Sequence, residues 1–200
     1  MTRGNLSEAA ERLLGAAMGL FSEKGYERTT VGEIQERAGL TFGSGALYKH
    51  FPSKQAVLEE GMARFVDSAR HDRTVLGALD DVPVSDALAA IAQLAMSSFA
   101  QDRDALRIAW RDLDAFPDLQ EKVRTKRIRA TFDDFAAWLG HQSDTGRLRQ
   151  HDSQAVAAVA LSSLAFFQLL QFLMLDTPAG IPQDDFVTAW SQLFCDALAP

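Results

Sequence analysis

The chain has 200 residues, 47% of them apolar and 24% charged, a balance that excludes extended disorder and suits one large soluble domain or two small ones. A single cysteine, Cys195, excludes an internal disulfide, and His50, His71, His141 and His151 lie at no metal-ligand spacing, so a cytoplasmic protein with no metal or other cofactor is expected. The formal net charge of −7 is unevenly spread: residues 1–56 hold seven Lys/Arg and six Asp/Glu, residues 57–200 thirteen and twenty-one, so the first segment stays open to nucleic acid and the rest does not.

Glu8, Glu11 and Arg12 interrupt the N-terminal stretch before an apolar run develops, so no signal-peptide core is expected there. From Ala10, the apolar residues Leu13, Leu14, Ala17, Leu20 and Phe21 fall on one face of a helix that Gly25 stops. A second helix opens on Thr30-Val31-Gly32-Glu33, a capping box, buries Val31, Ile34 and Ala38, and ends at Gly39. Three small residues, Gly43, Ser44 and Gly45, then stand where a third helix is due to start, ahead of Tyr48, Lys49, His50 and Phe51. Small residues at a helix N-terminus let backbone N–H groups approach a phosphate closely. Pro52 breaks the chain, and a fourth helix is expected over 53–74, with Leu58, Met62, Phe65 and Ala69 at helical spacing. Gly77–Asp86 mixes glycine, proline and acids and reads as a domain boundary.

Beyond it, helices are expected at about 85–100, 103–115, 118–140, 153–175 and 183–198, with no strand and no internal repeat. Arg103, Arg107 and Arg111 recur every four residues among aspartates, which reads first as a solvated ion-paired face and second as a site for an acidic ligand. Lys122, Arg124, Lys126, Arg127 and Arg129 read as solvated surface, and Cys195 as a core residue. Ala155–Leu175 runs 21 residues without a charge, long enough to cross a bilayer. Its internal Ser162, Ser163, Gln168 and Gln171, and the aspartates rather than basic anchors beside it, favour a helix buried by protein.

Two short helices around a tight turn describe a helix-turn-helix, a corner that many bundles contain without touching DNA. The residues are more specific than the pattern. Phe21, Gly25-Tyr26, Thr29-Thr30-Val31, Ile34, Ala38-Gly39, Leu47-Tyr48, His50-Phe51 and Ser53-Lys54, spaced as they are within Ala9–Phe65, closely resemble the DNA-binding domain of TetR-family transcriptional regulators. The resemblance departs from the commoner pattern in one place. Seven residues, Leu40–Ala46, stand between Ala38-Gly39 and Leu47-Tyr48 where five are usual, which marks a glycine-serine-rich subtype.

The resemblance implies an all-helical fold. Residues 1–56 would form the DNA-binding domain, joined by the 53–74 helix to an effector-binding and dimerisation domain at 57–200. The expected DNA contacts are Thr29, Thr30, Thr41, Gly43, Ser44, Gly45, Ala46, Tyr48, Lys49, His50 and Lys54, whose hydroxyl, phenol, ammonium, imidazole and backbone N–H groups donate to phosphate or base edges. Leu47 and Phe51 are core. Tyr26 packs across the first helix or meets phosphate, and His50 caps its helix or does the same; the residues leave both readings open.

Few phosphate contacts per subunit make one domain a weak binder, so a homodimer on a palindromic operator is expected, paired through the helices near 155–175 and 183–198. The family further implies a small apolar effector in the C-terminal domain, with Met96, Phe99, Trp110, Phe135, Trp138, Phe167, Gln168 and Gln171 as lining candidates that helical spacing reads first as ordinary core and second as a pocket. The function so implied is a ligand-responsive repressor. An adaptor controlled by a protein partner is the alternative; an all-helical enzyme finds no metal cluster, catalytic triad or phosphate loop to rest on.

Overall fold

The computed structural model describes residues 6–174 and 177–200. Met1–Asn5, together with Leu175 and Asp176 at the end of the expected 155–175 helix, lie outside the described residues. Nine α-helices and no strand are found among those described: α1 (Glu8–Lys24), α2 (Val31–Arg37), α3 (Lys54–Gly77), α4 (Val84–Gln101), α5 (Arg103–Arg111), α6 (Pro117–Val123), α7 (Ala130–Asp144), α8 (Ser153–Met174) and α9 (Gln183–Leu198). The all-helical expectation therefore holds.

The chain forms two compact units. The first takes the residues up to Asp67 together with Asp102–Arg124. Its core joins Leu13, Leu14, Ala17 and Phe21 of α1 and Ile34 of α2 to Leu58, Met62 and Phe65 of α3. From the distant segment it takes Ala105, Ile108, Leu113, Leu119 and Val123. Helical spacing places helices over both stretches, but periodicity says nothing about which distant stripe covers which. Position along the chain alone puts 102–124 with the C-terminal part, and packing puts it here.

The second unit takes Ser68–Gln101 and Thr125–Pro200. Leu88, Ile91 and Met96 of α4 pack with Phe135, Trp138 and Leu139 of α7, Leu161, Leu164 and Phe167 of α8, and Val187 and Trp190 of α9. The Trp190 indole donates to Ala160 O at 3.2 Å and Ser163 Oγ at 3.0 Å, and Phe167 stacks on Phe186 at 4.1 Å, so α9 is held on α8 by both kinds of contact.

The expected single helix over 118–140 is interrupted. A π-helical stretch, Arg124–Arg129, separates α6 from α7. It turns Arg127 inward, against the expectation of a wholly solvated basic run: Arg127 is 8% exposed, with Nη1 3.1 Å from Asp72 Oδ2. Ser98 donates to the other oxygen of Asp72 at 3.1 Å.

Helix α8 is long and apolar enough to cross a membrane by length and composition, with a mean hydropathy of 1.8 over Ser153–Phe172, yet only a third of that span is buried within the chain. Its exposed residues are not scattered. Ala155, Val159, Ser162 and Phe166 recur at three- and four-residue steps along one face, Val159 being 65% and Phe166 59% exposed, and Leu193 of α9 is 66% exposed.

Candidate nucleic-acid interface

The sequence around the turn dictates its frame. Thr30 has the capping-box geometry that its spacing to Glu33 predicts: Thr30 Oγ1 accepts from Glu33 N at 3.3 Å, and Thr30 N donates to Glu33 Oε2 at 2.8 Å. The Glu33 carboxylate also receives the Lys24 ammonium and the Thr30 hydroxyl. These bonds, Lys24 first, hold its pKa down to about 2. Helix α2 is thereby fixed to the end of α1, and a second bridge from Arg37 Nη1 to Glu23 Oε2 at 2.7 Å braces its other end.

Beyond α2 the expected third α-helix is absent. Only a 3₁₀ turn forms, Ala46–Lys49, preceded by Gly43 at φ 71° and Gly45 at φ 69°. Left-handed backbone cannot continue a right-handed helix, so these glycines shape a turn rather than a helix start. Added Cβ atoms at either position meet nothing within 4 Å, so in the protein itself it is the dihedral that requires glycine. An open turn thus stands where a helix N-terminus aimed at phosphate is expected.

A residue to which sequence reasoning assigns no role closes that turn. Gln35, fully buried on α2, donates from Nε2 to Thr41 O at 3.4 Å and accepts at Oε1 from Leu47 N at 3.2 Å. One amide thus ties the two ends of the 41–47 segment, satisfying backbone groups that a regular helix would have paired. Within it, Ser44 N donates to Thr41 O at 3.2 Å and Ser44 Oγ accepts from Ala46 N at 3.4 Å. Leu47 and Phe51 are core, as expected.

On this frame Thr41, Phe42, Gly43, Ser44, Tyr48, Lys49 and His50 are all exposed, with Gly45 and Ala46 half-buried between them. Thr30 is exposed at the start of α2, and His50 Nδ1 lies 3.4 Å from Ser7 Oγ. Two expected contacts stand elsewhere. Thr29 is 1% exposed and its hydroxyl donates to Gly25 O at 2.8 Å. The Lys54 ammonium donates to Tyr26 O at 2.9 Å and Thr29 O at 3.0 Å and sits 4.1 Å from the centre of the Tyr26 ring. Both side chains are engaged within the protein because the loop between α1 and α2 leaves carbonyls that need donors.

Tyr26 resolves toward packing. Its ring is 8% exposed, edge-on to Phe116 at 4.9 Å and tilted against Phe21 at 5.2 Å; burial, with the carboxylates of Glu27 and Glu59, pushes its phenol above the usual range. Arg111, expected on a solvated face, instead donates to Ser22 O at 3.1 Å and to Phe21 O, while Asp112 holds it at 3.0 Å. A basic residue on the carbonyl end of a helix is favourable electrostatically, but no spacing rule links residue 111 to residue 22.

The effector candidates separate as well. Met96, Phe135, Trp138, Phe167 and Gln168 are buried in the second unit, with Phe99 and Gln171 half-buried. Gln168 Nε2 donates to Gln183 Oε1 at 2.9 Å and lies 2.8 Å from Met96 Sδ, while Phe135 stacks on Trp138 at 6.0 Å. Trp110 does not join them: it belongs to the first unit and is 76% exposed.

Comparison with known proteins supplies the context for this turn. Residues 13–60 match the family described as bacterial regulatory proteins, tetR family, and residues 86–193 match the AefR-like transcriptional repressor C-terminal domain. The transcriptional repressor KstR2 of Rhodococcus jostii strain RHA1 is 37% identical over 78 residues, 38% of this chain. The chain spans only 37% of that relative's length. A tetR-family regulatory protein from Rhodococcus RHA1 superposes with a TM-score of 0.70 at 20% identity, over 96% of this chain and 98% of that one. The fatty acid degradation regulator FadR from Bacillus halodurans gives 0.67 at 19%, over 95% and 96%. At such identities the solved structures establish the fold alone.

Proposed function

The chain belongs to the tetR family of bacterial regulatory proteins, and from that premise we propose that it is a cytoplasmic DNA-binding transcriptional regulator, a ligand-responsive repressor that binds a palindromic operator as a homodimer. The observation that carries this reading is the exposed turn at 41–50, which presents hydroxyl, phenol, ammonium and imidazole donors on a frame fixed by Gln35 and the Thr30 capping box. Lys49, Tyr48, His50 and Thr41 donate to phosphates, whereas Thr30, an expected donor, already gives its N–H and its hydroxyl proton to Glu33 Oε2. Ser44 and the backbone of Gly43, Gly45 and Ala46 face base edges, where the two-residue-longer glycine-serine turn makes this chain a subtype of its family. The DNA-binding part is the first compact unit, including Asp102–Arg124, rather than residues 1–56 alone.

The apolar face of α8 around Val159 and Phe166, with Leu193 of α9, supports pairing with the same helices of a second copy, since a helix apolar on most sides needs protein on most sides. Such a dimer places two turns ~34–36 Å apart on one side of the duplex. A small apolar effector lodged among Met96, Phe135, Trp138, Phe167 and Gln168 of the second unit favours dimers whose turns are wrongly spaced. Selection of bound duplexes from a random pool tests the reading. A palindrome with one-turn half-site spacing is the expected result; no enrichment of any duplex refutes DNA binding, and a monomer mass by light scattering at micromolar concentration refutes the dimer.

A further inference from the structure

Phe42 is not among the DNA contacts that the family resemblance implies. It is 63% exposed, one of three large apolar side chains that stand in water among the described residues of the first unit, and among those three the one flanked by small and hydroxyl residues, Thr41, Gly43 and Ser44. An exposed aromatic ring on a loop is ordinarily free to turn. This one is seated: a Cβ added at Gly32, the second residue of α2, would fall 2.4 Å from its Cε2 and 2.6 Å from its Cζ. The ring therefore lies on the first turn of α2 at a place where only a hydrogen fits. The segment that carries it is tied at Thr41 O and Leu47 N by the single amide of Gln35.

A phenyl ring can neither donate to a phosphate nor bond a base edge. In the major groove the apolar group that base pairs display is the C5-methyl of thymine. A ring held against α2 is also poorly placed to act as a wedge, which must leave its own protein surface to enter between base steps. Resting on the reading of this turn as the DNA-binding edge, we propose that Phe42, seated on Gly32, packs against a thymine methyl at one position of each half-site and so determines part of the operator sequence.

The test uses the full chain and the operator recovered by pool selection, with each thymine replaced singly by deoxyuracil, which removes only the methyl group. One position per half-site is expected to weaken binding about four-fold, the worth of one buried methyl, and about fifteen-fold when both halves are changed. Phe42→Ala should bind the unmodified operator more weakly by a similar factor and become indifferent to uracil at that position. Its slope of log affinity against log salt should stay that of the unaltered protein, because no phosphate contact is lost. Gly32→Ala, which displaces the ring while keeping it, should reduce the methyl preference as well.

A flat uracil scan in the unaltered protein overturns the proposal, as does a methyl preference that Phe42→Ala retains in full. If no duplex is enriched at all, the DNA-binding reading itself has failed; an enriched palindrome with a flat scan removes only the role of Phe42.

Discussion

The chain has two tyrosines, and they divide the first unit into two regions that use the same side-chain types in opposite ways. At the outer edge Tyr48, Thr41 and Lys49 are exposed, with side chains that hydrogen-bond to nothing among the described residues. At the seam behind it, Tyr26 is packed between Phe21 and Phe116, Thr29 bonds Gly25 O, and Lys54 bonds two carbonyls and covers the Tyr26 ring. Phenol, hydroxyl and ammonium suit DNA and suit a loop with unpaired carbonyls equally well. What separates the roles is the neighbour each side chain finds, which residue type alone does not reveal.

Paired substitutions put that contrast at risk. The largest difference is expected between the tyrosines: Tyr26→Ala should lower stability by about 3–5 kcal/mol, as for other buried aromatic truncations. Tyr48→Ala should stay within about 0.5 kcal/mol in the same denaturation series yet weaken operator binding. Equal losses for the two would erase the distinction. The lysines come next. Lys54→Ala should cost about 2 kcal/mol through its charged hydrogen bonds and leave the salt slope of operator binding unchanged. Lys49→Ala should keep its stability and lower that slope by about one unit.

For the threonines, Thr29→Val should destabilise by about 1 kcal/mol and Thr41→Val by almost nothing, read from denaturant midpoints. The smallest effect concerns pH. Glu33 has a folded pKa of about 2 against an ordinary 4.5, so the stability it contributes is complete above 4.5 and drains away as pH falls toward 2. Glu33→Gln should flatten the midpoint-against-pH curve over that window; an unaltered curve would mean that the Lys24 and Thr30 bonds do not persist in solution.

Local grammar is legible where it is local. The Thr30 capping box, the stop at Gly25, the core roles of Leu47 and Phe51 and most of the α-helices among the described residues come from caps and period within a few residues. The turn is less so, because two glycines signal freedom without saying which dihedral they adopt, and both take φ near 70°. Gln35 in a helical stripe gives no sign that its amide will close a segment twelve residues on. Nor does periodicity pair Arg111 with Ser22 or Phe116 with Tyr26, since the members of each pair sit on elements about ninety residues apart in the chain. The π-helical stretch escapes for the same reason: its sequence is basic and helical, and the Asp72 that Arg127 meets lies on a distant part of the chain.

The discontinuity of the first unit bears on how such proteins can be recombined. Grafting residues 1–56 of this chain onto the body of a relative would cut through the core that Leu13, Phe21 and Met62 share with Ala105, Ile108 and Leu119. The graft would import a reading edge and leave its foundation behind. A chimera exchanged at Asp67, Asp102 and Arg124 carries both pieces, and on the ribosome the same geometry means that this unit stays unfinished until more than half of the chain has emerged.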